Sequence, residues 1–280
     1  MKCNIQDILE IDLPDNLANT VDLYNNEWDL ETGQAWEMKN FIKLTKDKKT
    51  LWDVGGYIGF FSFVFLNNNN DNGDKNIRCF EPSPWNNDTF REIVKHNSED
   101  VRYNMANVKL FSMLVGEKEE NKNFLIEGIS KTFSVLYERD DPFYRVNTED
   151  DTPWEEKEKV PMQSLDRYWL HCLEEKDKVA DVIKIDVEGY EYRVFQGAIN
   201  FFNHVRPLLF LEVHPALLNM YNNTILNLYD IVTKEIKYNF FDNKLELIKS
   251  KDEYVHFFSK REEKRLVCLP QEESVERIDA

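Results

Sequence analysis

Residues 51–62 read LWDVGGYIGFFS, and this stretch decides the fold prediction. A short apolar run with Asp53 near its end is broken by glycines, and residues 60–66 follow as an aromatic segment that fits a buried helix. Strand, tight turn and helix in this order form the unit from which parallel α/β sheets are built. Glycines allow close backbone approach and a helix N-terminus offers free N–H groups, so we expect this turn to hold a nucleotide-like cofactor.

The glycine spacing differs from that of two common nucleotide-binding loops. The pattern Asp53-x-Gly55-x-x-x-Gly59 lacks the Gly-Lys-Ser/Thr of a P-loop and departs from the GxGxxG of the dinucleotide fingerprint. On its own it also fits a tight turn with no ligand. Glu81 follows Gly59 by 22 residues, at the end of the next predicted strand, which is close to the offset at which an acidic group reaches ribose hydroxyls. A solvated glutamate beside a proline turn is the alternative for Glu81.

Apolar runs continue the alternation of strands and helices along the chain. Predicted strands cover residues 77–80, 108–115, 179–187, 207–213, 237–248 and 254–259, a hairpin segment covers 124–136, and predicted helices cover about 87–96, 191–202 and 216–234. This order predicts an α/β fold with a Rossmann-like doubly wound sheet, mostly parallel with an antiparallel last strand. We expect a helical or irregular lead-in over residues 1–50, one α/β domain over 51–260 and a polar tail over 261–280.

Composition excludes several classes of protein. Hydrophobic residues make up 42% of the 280 residues and aromatic residues 13%, which is typical of a globular chain and not of a disordered one. The formal net charge of -17 disfavours nucleic acid and anionic membrane surfaces as partners. The four cysteines form no CxxC pair, and no export signal or membrane anchor is visible, so we expect a cytoplasmic location. The acidic segment 138–158 is predicted to be a mobile loop or a lid.

Six segments together resemble one protein family. They are LWDVGGYIGFFS (51–62), RCFEPSP (78–84), NVKLFSMLVGEKEENKNF (107–124), VPMQSLDRYW (160–169), DVIKIDVEGYEYRVFQGA (181–198) and RPLLFLEVHP (206–215). They are similar to the FkbM family of S-adenosylmethionine-dependent methyltransferases, which mostly methylate hydroxyl groups of sugars and natural products. The resemblance covers residues 51–215, with a weaker tail to about 259, and implies a class I methyltransferase fold for the domain at 51–260.

The resemblance also implies where the cofactor binds. Asp53, Gly55 and Gly59 would line its methionine side, and Glu81 would bind its ribose. A sulfonium cofactor carries a positive charge beside its methyl group, so a carboxylate-rich cleft with a glycine turn suits it without a basic phosphate grip.

Charged side chains at two later strand ends are the candidates for the acceptor side. Lys184, Asp186 and Glu188 alternate with apolar residues and would share one face of an extended strand. Glu212 and His214 share a face of the next strand, and a near-neutral imidazole beside a carboxylate could act as a base toward a hydroxyl. The alternatives are a structural ion pair for Lys184 and a cap or core histidine for His214.

A divalent ion held by Asp186, Glu212 and His214 would also lower the pKa of a substrate hydroxyl, and the sequence leaves metal use open. We therefore predict an O-methyltransferase that uses S-adenosylmethionine on a hydroxyl of a sugar, glycan or related small molecule. Methylation of an RNA or nucleotide hydroxyl is the second enzyme hypothesis, and a catalytically inactive methyltransferase-like binding module is the third. The sequence does not predict the oligomeric state.

Overall fold

The computed structural model describes residues 2–5, 9–14, 17, 33–68, 75–99, 105–126, 134–136, 158–259 and 264–273. The acidic segment predicted as a loop or lid lies outside these residues, apart from Glu158. The strands are, in chain order, β1 Lys2–Ile5, β2 Leu9–Asp12, β3 Thr50–Val54, β4 Asn76–Phe80, β5 Val108–Phe111, β6 Leu114–Val115, β7 Glu120–Ile126, β8 Ser134–Leu136, β9 Glu158–Gln163, β10 Val182–Ile185, β11 Leu208–Val213, β12 Tyr238–Phe241 and β13 Lys264–Pro270.

The α-helices alternate with these strands. They are, in chain order, α1 Gly33–Thr45, α2 Phe60–Asn67, α3 Pro84–His96, α4 Leu165–His171, α5 Glu191–Gln196, α6 Ile199–Val205, α7 Pro215–Met220, α8 Ile225–Asp230 and α9 Lys251–Phe258. Local sequence explains several boundaries. Ser83 caps α3 by accepting the Asn86 N–H, and Pro84 occupies the first turn, where its missing N–H has no cost.

The central sheet has the strand order β12-β13-β11-β10-β3-β4-β5. The pairs β11–β10, β10–β3, β3–β4 and β4–β5 are parallel, whereas β13 is antiparallel to both of its neighbours. The predicted mostly parallel sheet with an antiparallel last strand is confirmed. Parallel pairing needs a crossover on each step, and the helices supply it.

The two faces of the sheet bury separate apolar clusters. Leu51 packs in one cluster with Phe63 of α2, and its neighbour Trp52 packs in the other with Phe201 of α6. Successive side chains of a strand point to opposite faces, so a fully buried strand such as β3 requires helices on both sides. This is the doubly wound arrangement that the sequence predicts.

A smaller sheet with the order β6-β9-β7-β8 covers part of the chain between β5 and α4. The antiparallel pairing of Phe124 with Leu136 confirms the predicted hairpin segment. The predicted third strand over 108–115 is divided, because β5 ends at Phe111 in the central sheet and β6 joins the smaller one.

The C-terminal prediction is wrong in its details. Residues 254–259 were expected to form a strand, but Tyr254 and Phe258 belong to helix α9 and lie on the same buried face, four residues apart. The last strand of the sheet is β13, which lies in the region expected to be a polar tail and buries Leu266 to Leu269. The lead-in over residues 1–50 likewise contains the antiparallel pair β1–β2 besides helix α1. None of the described helices is both long enough and apolar enough to cross a membrane.

Candidate active site

The carboxyl ends of three parallel strands converge on the predicted site residues. Asp53 lies in β3, Asp186 follows β10 by one residue and His214 follows β11 by one residue. Ligands of open α/β sheets bind outside the carboxyl ends of the strands, so the sheet topology alone brings these three residues to the expected edge.

A pocket of about 120 Å³ opens at this edge. It is lined by Glu37, Asp53, Gly55, Gly56, Tyr57, Phe60, Phe61, Lys184, Asp186, Glu212 and Arg265. Four of these residues are acidic and two are basic, so the lining has an excess of negative charge when all are ionised. A lining of this kind favours a cationic ligand.

The Asp186 carboxylate contacts both the Lys184 ammonium group and the His214 imidazole. Its Oδ2 accepts a hydrogen bond from Lys184 Nζ at 3.0 Å, and its Oδ1 lies 3.2 Å from His214 Nε2. The Asp186 side chain is 25% exposed, whereas that of Lys184 is 3% exposed. Asp186 is therefore the most exposed member of this group, and Lys184, which holds it, has its Nζ 4.4 Å from the centre of the Phe61 ring.

This arrangement shifts the pKa values of both partners. Burial opposes ionisation of Asp186, but the Lys184 charge and the hydrogen bond with His214 hold the pKa of that carboxyl well below its usual range. Burial also opposes protonation of His214, yet the hydrogen bond to Asp186 and the charges of Asp186 and Glu188 raise the pKa of His214 to about 10. The near-neutral imidazole expected from the sequence is thus an imidazolium in the ligand-free protein at neutral pH.

Glu212 pairs with a residue that the sequence analysis missed. Glu212 on β11 is the register partner of Arg265 on β13, and the Arg265 guanidinium donates to Glu212 Oε1. Arg265 Nε also lies 3.1 Å from Glu37 Oε2 on helix α1. Burial and the negative charges of nearby carboxylates raise the pKa of Glu212 above its usual range in spite of Arg265. Glu37 and Arg265 lie far from the recognised motifs, so no local signal marked them.

Asp53 on β3 also lines the pocket. It is the register partner of Lys184, and its Oδ2 accepts a hydrogen bond from Ser62 Oγ at 2.6 Å. Burial raises the pKa of Asp53, while Lys184 and Ser62 counteract that shift.

The two predicted cofactor glycines differ in their surroundings. Gly55 lines the pocket with φ 79°, and a Cβ there would lie 1.8 Å from the carbonyl oxygen of Asp186. Gly59 has φ 91°, and a Cβ there would lie 2.3 Å from the Phe90 ring. Gly55 thus lets the turn approach the end of β10, whereas Gly59 lets helix α2 pack against α3.

Glu81 lies at the end of β4, on the far side of the glycine turn. Its carboxylate accepts hydrogen bonds from the Tyr57 and Ser83 N–H groups at 2.9 and 2.8 Å and from Asn86 Nδ2 at 3.1 Å. Burial raises the pKa of Glu81 to about 7 although these bonds oppose the shift. Tyr57 also lines the pocket, so the turn connects Glu81 with the pocket directly.

The turn after β10 differs from the expected extended strand. β10 ends at Ile185, and Glu188 and Gly189 have φ values of 51° and 94°, so Glu188 does not continue the strand face of Lys184. That part of the prediction is wrong. The turn nevertheless places Glu188 Oε2 3.6 Å from His214 Nδ1, which adds a second carboxylate beside the imidazole.

Three side chains are close enough to share one ion. Asp186, Glu212 and His214 each offer a ligand atom, and these atoms lie within 4.8 Å of one another. Carboxylate oxygens and an imidazole nitrogen are suitable donors for a divalent cation. Lys184 and Arg265 already contact the same two carboxylates, so an ion would share them with two fixed positive charges.

The family model for the methyltransferase FkbM domain matches residues 53–240. This chain belongs to the FkbM methyltransferase family. The match begins at Asp53 and includes every residue of the site except Glu37 and Arg265. The resemblance noted from the sequence is confirmed, and the sheet is that of a class I methyltransferase.

Solved structures with a similar fold are distant from this FkbM-family chain in sequence. The methyltransferase FkbM from Methylobacillus flagellatus KT is 14% identical with a TM-score of 0.46, and the match covers 80% of this chain and 44% of that one. Precorrin-6y C5,15-methyltransferase from Geobacter metallireducens GS-15 is 13% identical with a TM-score of 0.39, and the match covers 86% and 90%. This chain thus spans less than half the length of the first. No curated protein sequence matches it.

Proposed function

We propose that this FkbM-family methyltransferase transfers a methyl group from S-adenosylmethionine to a hydroxyl of a sugar, glycan or related small molecule. The observation that carries the proposal is the contact of His214 with Asp186, which lines a pocket rich in carboxylates. A hydroxyl is a poor nucleophile until its proton is removed, so an enzyme for this reaction needs a proton acceptor beside the acceptor oxygen.

The residues of the pocket fit a sulfonium cofactor. S-adenosylmethionine, when bound, supplies an electrophilic methyl group beside a positively charged sulfur. Asp53 and Asp186, which both line the pocket, would compensate this charge, and Gly55 leaves room at the turn. Glu81 would accept hydrogen bonds from the ribose hydroxyls.

Asp186 and His214 would then handle the proton of the acceptor. In the ligand-free protein the imidazolium donates toward Asp186 Oδ1, and the carboxylate keeps the ring in place. A cation bound beside Asp186 lowers the pKa of His214, because like charges disfavour protonation. With Nε2–H kept on Asp186, His214 Nδ1 can then accept the hydroxyl proton, while Lys184 acts as a positioning residue that holds Asp186. Glu212 is the next candidate base, since its raised pKa makes it a stronger proton acceptor than an ordinary carboxylate.

The charge of the site supports a neutral polyol over an anionic acceptor. The Asp186 and Glu188 side chains are 25% and 24% exposed, and their carboxylates can accept hydrogen bonds from hydroxyls of a sugar. A phosphate backbone would meet the same carboxylates and a chain of formal net charge -17. An RNA or nucleotide hydroxyl is therefore the less favoured acceptor, and RNA is included in the acceptor panel below.

A divalent ion at Asp186, Glu212 and His214 is the alternative means of activating the hydroxyl, and the spacing of their ligand atoms favours it specifically. Such an ion would act as a Lewis acid on the acceptor oxygen and would replace the proton on His214 Nε2.

Methyl transfer from labelled S-adenosylmethionine to a panel of sugars, glycans, small alcohols and RNA tests the proposal, with and without a chelator. We expect label in a neutral hydroxyl compound. Label in RNA alone would favour the second hypothesis, and cofactor binding with no turnover across the panel would favour an inactive binding module. If the chelator abolishes turnover and a divalent ion restores it, the reaction requires that ion.

The cytoplasmic location remains a prediction that rests on the cysteines. Cys79 and Cys268 are buried free thiols and Cys172 is an exposed one, which suits a reducing compartment. Cell fractionation with an antibody to the chain would check it.

A further inference from the structure

One buried oxygen in the pocket has no hydrogen-bond partner among the described residues. Glu37 projects from helix α1, is 5% exposed and lines the pocket. Its Oε2 lies 3.1 Å from Arg265 Nε, whereas its Oε1 accepts no hydrogen bond. An unpaired carboxylate oxygen in a buried position is costly, and such a group is explained most directly by a ligand that supplies the missing donor.

Arg265 fixes the direction of this carboxylate. The same guanidinium contacts Glu37 on helix α1 and Glu212 on β11, so Glu37 is held against the central sheet from the side of the last strand. With Oε2 occupied by Arg265, Oε1 is the oxygen that remains for a donor in the pocket. A cationic donor gains most there, because charge-assisted hydrogen bonds are the strongest kind.

The size and charge of the pocket indicate which part of a ligand it takes. A volume of about 120 Å³ is well below the roughly 300–1,000 Å³ of sites that enclose a whole drug-sized ligand. Lys184 adds a positive charge to the acidic lining, so the pocket offers both signs of charge to a small zwitterion. Glu81, the expected ribose residue, is not in the lining and lies across the turn at Tyr57.

We propose that Glu37 Oε1 binds the ammonium group of the cofactor's amino-acid end in this pocket, with Arg265 acting as a positioning residue for Glu37. The inference rests on the proposed function, because it assumes that S-adenosylmethionine is the methyl donor. It goes beyond that function by assigning a binding residue that lies outside the matched family segment, on an element that the sequence analysis described only as a lead-in.

Calorimetric titration with three ligands tests this assignment. S-adenosylhomocysteine carries the amino-acid end, its deaminated analogue lacks only the ammonium group, and 5′-methylthioadenosine lacks the whole end. We expect Glu37→Gln to weaken S-adenosylhomocysteine by about tenfold or more, as for loss of a charged hydrogen bond. The same variant should leave the deaminated analogue and 5′-methylthioadenosine within about twofold, a change too small to reflect a lost hydrogen bond.

A control variant and further substitutions distinguish a lost contact with the ammonium group from a general loss of structure. Glu92→Gln removes an exposed acid on helix α3 and should leave all three affinities unchanged. Glu37→Asp keeps the charge while shortening the side chain, so it should fold even if Glu37→Gln does not and should show the same selective loss. Arg265→Met should also weaken S-adenosylhomocysteine selectively.

Two outcomes would overturn the assignment. An equal loss for all three ligands would mean that Glu37 supports the fold of the pocket and does not touch the ammonium group. Unchanged affinity for S-adenosylhomocysteine in both Glu37 variants would place the amino-acid end elsewhere. If the wild-type chain bound neither S-adenosylhomocysteine nor 5′-methylthioadenosine, the proposed function itself would fail, and this result is distinct from the other two.

Discussion

Asp186 Oδ1 lies 3.2 Å from His214 Nε2, and each residue follows the end of a strand by one position. The parallel register that aligns Ile185 with Leu211 sets this distance, because the two side chains leave the sheet at neighbouring points of the same edge. The contact therefore depends on the buried core of the sheet and not on a mobile loop.

The first prediction concerns this pair. Asp186→Asn and His214→Gln should each lower methyl transfer by a factor on the order of 10²–10⁴, because each removes a group that handles the acceptor proton. Affinity for S-adenosylhomocysteine should stay within a few-fold in His214→Gln, so turnover and binding separate. The matched control is His256→Gln on the exposed face of α9, which should be neutral. Wild-type turnover in His214→Gln would exclude that residue and make Glu212 the next candidate.

The second prediction concerns Lys184, which is 2% exposed and holds Asp186. Lys184→Met keeps an unbranched side chain at this position but leaves the Asp186 carboxylate without its main cation. Breaking a buried pair by removing one partner costs about 3–5 kcal/mol, so the unfolding free energy in urea should fall by that order. Lys95→Met, at an exposed position of α3, provides the comparison and should change stability little. A loss no greater than that of Lys95→Met would mean that Asp186 finds another partner.

The third prediction compares two glycines. Gly55→Ala puts a Cβ 1.8 Å from a rigid backbone oxygen at a positive φ in the pocket lining, whereas Gly116→Ala, outside that lining, meets Met162 Sδ at 2.4 Å and the Tyr190 ring at 2.9 Å. Gly55→Ala should therefore abolish S-adenosylhomocysteine binding or prevent folding, and Gly116→Ala should retain binding. Calorimetry measures loss of binding, and circular dichroism spectra show whether the variant has failed to fold. Equal behaviour of the two variants would contradict a special role for the turn.

Much of the site follows from the sequence because its residues end apolar strands. Asp53, Glu81, Asp186 and His214 each stand at the carboxyl end of a strand that the hydrophobic pattern marks, and strand order then brings them to one edge. Sequence patterns cannot give the partners of these residues, since those depend on three-dimensional pairing. The protonation of His214, for example, depends on three carboxylates, two of which approach it through the turn at Glu188.

Glu37 and Arg265 are site residues that sequence patterns did not predict. They come from elements near the two ends of the chain, and they meet only because β13 inserts beside β11 in antiparallel register. The apolar pattern of residues 254–259 predicts the last strand there, which leaves Arg265 in the expected polar tail and away from the site. Helix α9 has apolar residues at a helical spacing that short windows do not separate from a strand.

The fourth prediction is a pH dependence of stability that originates at Glu191. This residue begins helix α5 and is fully buried; its Oε1 accepts the Gly189 N–H at 2.9 Å, and its Oε2 has no hydrogen-bond partner among the described residues. Burial raises the pKa of Glu191 from 4.5 to about 7, although the charge of His214 and the backbone hydrogen bond counteract it. The folded state therefore holds this proton more tightly than the unfolded state.

The sign follows from that difference. For an acid whose pKa is raised by folding, the stabilisation is complete below about pH 4.5 and is lost as the pH rises to about 7. Glu191→Gln has no proton to lose, so its unfolding free energy relative to wild type should rise across this window by up to about 3 kcal/mol. The buried amide adds an offset that does not change with pH. Chemical denaturation at pH 5 and pH 8 measures the difference, with Glu92→Gln as the exposed control. A Glu191→Gln difference that is the same at both pH values would show that Glu191 is ionised throughout.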